Sequence, residues 1–159
     1  MKKPLILLSI LLLAALSFAR MPQNKRIDPT GTYLLDAQQV VIDREPYGDS
    51  GLIQVVSLPG NKIFMTFIFN KGAPSYSRGS FTDTLNYVNN RAVYKNPAAD
   101  TTCEITFTFT DAGITVKEKT THQNSGCGFG KGIVADGFYK KVSSTKPVLK
   151  NPRTGETIK

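Results

Sequence analysis

Residues 103–110 alternate without a break, with Cys103, Ile105, Phe107 and Phe109 at odd positions and Glu104, Thr106, Thr108 and Thr110 at even ones. A period of two puts the first set on one side of a strand and the second on the other, so one face is core and the other wet. Asp111, Ala112 and Gly113 form a turn, and residues 114–120 return with Ile114 and Val116. Matching apolar to apolar sets Phe109 opposite Ile114 and Phe107 opposite Val116. In that register Cys103 faces Thr120, and Cys127 follows a few residues later.

The same period recurs along the chain. Residues 80–88 meet residues 91–94 across Asn89 and Asn90, a pair that tolerates the positive φ of a type I′ turn. That hairpin is expected to pair Tyr87 with Ala92 and Leu85 with Tyr94. Residues 52–58 and 62–70 form another through Pro59, Gly60 and Asn61, with Ile63, Met65, Phe67 and Phe69 inward opposite Ile53 and Val55. Residues 31–35 and 132–142 supply a first and a last strand, and residues 39–42 a short ninth. Eight antiparallel strands let the first and last pair and remove exposed edges. The expected fold is therefore all-β, a single eight-stranded up-and-down barrel or twisted meander over residues 30–142. Residues 36–50 become a loop over one mouth, residues 20–29 a flexible stub and residues 143–159 a basic disordered tail.

Residues 1–19 read as an address. Lys2 and Lys3 precede an apolar run over residues 4–16 broken only by Ser9, and Ser17-Phe18-Ala19 offers small residues at a cleavage site. The run is short of the ~20 residues that span a bilayer, so no stable membrane span is expected after cleavage. An exported protein, periplasmic or secreted, follows, with Cys103 and Cys127 paired in an oxidising compartment. Closing that loop is worth roughly 3 kcal/mol on the chain-entropy model. Two thiols alone make no structural zinc site and there is no C-x-x-C pair, so neither metal nor redox chemistry is expected.

Charge points the same way. Beyond the address the chain carries 18 basic and 12 acidic side chains. The surplus gathers at Lys140, Lys141, Lys146, Lys150, Arg153 and Lys159, without a basic stripe interleaved with aromatics, so no nucleic-acid partner is expected. His122 is the single histidine and reads as an exposed loop residue. The glycine-rich run at residues 126–132 lacks the Gly-Lys-Ser/Thr of a phosphate loop, and Phe129 within it is placed to plug one end of the barrel.

Two resemblances bear on this reading. The first strand carries Gly31-Thr32-Tyr33 and the last Gly137-Phe138-Tyr139. With a long first loop, a meander and a closing last strand, this arrangement resembles lipocalins and similar calycin barrels, which have Gly-x-Trp at the first of these places. Residues 72–76 (Gly-Ala-Pro-Ser-Tyr), Asp83-Thr84-Leu85, residues 127–130 (Cys-Gly-Phe-Gly) and residues 135–140 (Ala-Asp-Gly-Phe-Tyr-Lys) resemble a group of small exported bacterial proteins of unknown function. That likeness spans residues 31–141 and implies a shared fold and exported location, and no activity.

Candidate functional residues follow from the period. A barrel of this kind is expected to bind a small, mainly apolar ligand without catalysis, lined by Phe67, Phe69, Phe81, Tyr87, Tyr94, Phe107 and Phe109. Asp83 shares the apolar face of Phe81, Leu85 and Tyr87, and Glu118 that of Ile114 and Val116. Acids on a core face must be bonded or lie near a wet mouth. They read first as structural groups, then as ligand-orienting ones, and last as an acid–base pair of the glycoside-hydrolase kind. The alternative function is a protein-interaction module, such as an exported hydrolase inhibitor, acting through Tyr76 and Arg78 on an extracytoplasmic protein. No cofactor is expected, and a monomer is.

Overall fold

A computed structural model describes residues 25–121, 127–129 and 132–158. The described residues form no helix and ten strands. These are β1 (Gly31–Leu35), β2 (Val40–Ile42), β3 (Glu45–Tyr47), β4 (Asp49–Leu58), β5 (Lys62–Lys71), β6 (Arg78–Asn86), β7 (Arg91–Tyr94), β8 (Glu104–Phe109), β9 (Gly113–Lys119) and β10 (Gly137–Ser143). Eight make one antiparallel sheet in the order β6-β5-β4-β1-β10-β9-β8-β7, and β2 and β3 make a separate arm. The sheet curls into a nearly closed barrel. The signal-like residues 1–19, residues 20–24 and His122 lie outside the described residues.

The local registers are those that apolar matching dictates. Phe109 faces Ile114 and Phe107 faces Val116; Ile53 faces Phe67 and Val55 faces Met65. β1 and β10 pair, with Leu35 opposite Tyr139, and so join the first and last strands. Gly60 and Asn61 turn the β4–β5 hairpin at φ of 73° and 56°, and Asn89 and Asn90 turn the next at 51° and 59°. Small polar side chains are the ones that enter this left-handed region cheaply.

Three boundaries differ from expectation, each for a local reason. β6 and β7 do not form the ladder that would pair Tyr87 with Ala92 and Leu85 with Tyr94; one bridge, Val88 to Arg91, joins them. Beyond it the Tyr87 N–H donates to the Asn61 carbonyl at 2.7 Å, so β6 follows β5 and leaves β7. The rings of Phe81 and Tyr94 fill the resulting seam, stacked 3.9 Å apart and nearly parallel. The barrel is closed there by aromatic contact.

The last strand begins at residue 137 and not at 132. The Glu118 N–H donates to Asp136 Oδ1 at 2.6 Å and the Ala135 N–H to Glu118 Oε2 at 2.8 Å. Carboxylates here take the donors that a ladder would otherwise satisfy, and the chain stays out of the sheet until Gly137. The region expected as one loop over a mouth instead holds the β2–β3 arm, closed by Asp43 and Arg44 at positive φ.

Both barrel ends are plugged. At one, the segment expected as a flexible stub is tied down from Lys25 onward. The Ile27 N–H donates to Asn90 Oδ1 and Asn90 Nδ2 to the Lys25 carbonyl, each at 2.9 Å. The Tyr87 and Tyr33 hydroxyls donate to the Ile27 and Pro29 carbonyls. At the other end Cys103 and Cys127 are bonded, with Cα atoms 5.2 Å apart. The adjoining Phe129 stacks on Phe67 at 5.7 Å. A Cβ on Gly79 would come within 2.5 Å of the Phe129 ring, so glycine makes the room for this plug.

The tail expected to be disordered lies on the barrel instead. Leu149 is 7% exposed. The Ile158 N–H donates to the Leu149 carbonyl at 2.9 Å, the Asn151 N–H to the Glu156 carbonyl at 2.8 Å, and Arg78 Nη2 to the Pro152 carbonyl at 3.1 Å. These bonds make residues 146–158 a strap.

Candidate functional site

The interior is a packed core. Phe67 and Phe107 are completely buried, and Phe69 and Phe109 are 2% exposed. Phe67 touches rings from four directions: Phe81 at 5.4 Å, Phe129 at 5.7 Å, Tyr139 at 5.9 Å and Phe107 at 6.1 Å. A barrel of eight strands is just wide enough for its own side chains to fill, and here aromatic rings meet across the axis. Of the seven aromatic side chains expected to line a ligand cavity, Phe81 and Tyr94 border a cleft on the seam and Tyr87 a shallow one by Asn89 and Asn90. Phe67, Phe69, Phe107 and Phe109 pack against protein.

The two acids serve the backbone. Asp83 stands opposite the buried Met65 of β5. It is exposed all the same, contrary to the interior position its neighbours imply. β6 has no ladder partner on that side, so the carboxylate reaches water through the seam, where Oδ1 accepts the Thr84 N–H at 2.7 Å. Glu118 is half-buried and held by Ala135 as above. Asp83 on β6 is engaged by the Thr84 N–H and Glu118 on β9 by the Ala135 N–H.

Tyr76 and Arg78 are exposed and brace different parts of the surface. The Tyr76 hydroxyl donates to the Glu45 carboxylate on the arm, and Arg78 holds the strap.

Buried phenols make the fold sensitive to alkali. Burial pushes Tyr87 up to about 12, against an opposing pull from Arg26. Burial also raises Tyr33 and Tyr139, and it raises Tyr94 together with the nearby Asp83 charge. An unfolded phenol ionises near ~10. The folded state therefore keeps protons that the unfolded state loses, and stability is whole below that pH and lost as pH climbs from 10 through 12. Denaturant midpoints measured across that window are expected to fall, with a shallower fall for Tyr87→Phe. A midpoint flat from pH 9 to 12 would contradict the burial of these hydroxyls.

Two surface features remain. A polar cleft of about 320 Å³ on the seam is bordered by Ser80, Thr82, Asn96, Asn151 and Arg153 besides the rings of Phe81, Tyr94 and Phe129. An apolar groove of about 410 Å³ runs between the outer face of β4–β5 and the strap. Val56, Leu58 and Phe64 form its floor, and Pro147, Val148, Leu149 and Ile158 its wall, with exposed Lys146 beside them. Its volume falls in the ~300–1,000 Å³ range of small-molecule sites. None of its lining residues is among those expected from the period, although β4 and β5 carry apolar residues at even as well as odd positions. A hairpin apolar on both faces needs a cover on the second.

The sequence matches no protein-family model, no curated protein and no solved structure. Among the described residues no helix is long and apolar enough to cross a membrane.

Proposed function

We propose that this protein is a non-catalytic binding barrel, exported with its disulfide formed, that holds a small, mainly apolar ligand in the groove beneath its C-terminal strap. The observation that carries this reading is the lining of that groove: apolar side chains from two separate segments face a common space, with one ammonium group at Lys146. Apolar walls supply affinity through burial, and a single charge orients the ligand. An amphiphile with one anionic end matches both. The engagement of Asp83 and Glu118 by backbone N–H groups supports a role without acid–base chemistry.

The test uses anilinonaphthalene sulfonate, an apolar anion whose fluorescence reports the groove. Val148 is 68% exposed, so Val148→Glu should fold normally. It puts a carboxylate in the apolar wall, and probe binding is expected to weaken about tenfold or more. Native mass spectrometry of the protein as isolated should detect a bound amphiphile that Val148→Glu lacks. Equal probe binding by the two proteins would refute the groove as the site.

A further inference from the structure

The β2–β3 arm is a two-stranded sheet separate from the barrel, with β2 on one edge. Val40, Val41 and Ile42 are 56%, 72% and 51% exposed. Val41 stands opposite Pro46, between the pairs Val40–Tyr47 and Ile42–Glu45. Proline has no N–H, so Val41 and Pro46 cannot exchange backbone hydrogen bonds, and the bonded pairs are the flanking ones. The Val41 N–H and C=O therefore point away from β3. Among the described residues neither has a backbone partner.

The arm's other edge is occupied. The Ala73 N–H donates to the Pro46 carbonyl at 2.8 Å, the Gly72 N–H to the Gly48 carbonyl at 3.1 Å, and Tyr76 to Glu45. The arm is thus braced from one side and open on the other. Edges left open in monomeric proteins are ordinarily blunted by lysine, proline or a bulge; β2 offers three β-branched residues in a row. Charge indicates the occupant. Residues 36–49 hold Asp36, Asp43, Glu45 and Asp49 against Arg44 alone, on a chain whose net charge is +8.

We propose that β2 is a docking edge for an extended segment of another protein, apolar at alternate positions and flanked by Lys or Arg, which adds to the arm as a third strand. Main-chain bonds to Val41 supply part of the affinity and the acidic surround selects the basic flanks. A second copy of this chain fits less well, because it would set two acidic arms side by side.

The test pans a random heptapeptide phage library on the purified protein. The expected outcome is enrichment of alternating β-branched residues with basic flanks. A synthetic peptide so selected should slow hydrogen exchange at the Val41 amide and bind more weakly as salt rises. Val41→Pro removes an N–H that β3 does not use, so its melting temperature should match the parent while peptide binding falls about tenfold or more. N-methylation of the peptide's central residue should do the same with the parent protein, which keeps the result independent of how the variant folds. No enrichment, equal binding by Val41→Pro, or a dimer in sedimentation with the Val41 amide protected before peptide is added would each overturn the proposal, the last by assigning the edge to a second copy.

Discussion

Truncating Phe67 to Ala is expected to lower the free energy of unfolding by about 3–5 kcal/mol, the range for an aromatic side chain lost from a close-packed core. Phe67 is completely buried and is the ring on which Phe81, Phe107, Phe129 and Tyr139 converge. Its neighbours come from β6, β8, β10 and the disulfide-bonded plug. No single segment can relax into the space, and the cavity term adds to the lost transfer energy. The chain has no tryptophan, so urea unfolding is best followed by far-UV circular dichroism. The experiment also separates a filled barrel from an open one. A ring lining a ligand cavity would already have empty space on one side, and its removal would cost much less. A loss under about 1 kcal/mol would therefore favour an interior site over the groove.

The second large effect is the bridge. Cys103→Ser should cost about 2–5 kcal/mol, measured by guanidinium unfolding without reductant. The closed segment has a sequence separation of 24, for which chain entropy alone gives roughly 3 kcal/mol. A second contribution is structural. Cys127 holds Phe129 over the barrel end against Phe67 and Gly79, and Ile133 and Ala135 are buried close by. Freed of the bridge, this plug can lift and expose apolar surface. Because Phe129 rests on Phe67, the two substitutions should not add. Two thiols titrating freely in the native protein would refute the pairing.

How much of this was legible in the sequence depends on distance along the chain. The β8–β9 register was readable because its strands alternate, so that a slip by one would turn the apolar side chains to water. β4 and β5 are apolar on both faces, and there the short turn at Gly60 and Asn61 sets the register. The bridge followed from that register. The pairing of β1 with β10 followed from the cost of two bare edges. The seam did not follow: alternation lets β6 pair on both sides, and only the folded structure shows the Tyr87 N–H taken by the Asn61 carbonyl and the Phe81 and Tyr94 rings stacked where the β7 ladder would run. Asp83 fails for the same cause. Alternation told which face it occupies, and the missing ladder beside it lets this one side chain reach water while Phe81, Leu85 and Tyr87 on the same face stay buried.

The strap and the arm show the other limit. Residues 143–158 have the composition of a loose basic tail, yet Leu149 is buried and borders one groove with Val56 and Phe64, which the β4–β5 register sets opposite each other. Period and hairpin register depend on neighbours in the chain, and so the sequence alone determined the β4–β5 and β8–β9 hairpins, the all-β class and the disulfide. Whether the barrel is full, where it opens and which outer face is covered depend on the summed volumes of side chains from strands far apart in sequence. The tertiary structure alone decided those: the interior is filled, and the open apolar space lies in the groove between β4–β5 and the strap.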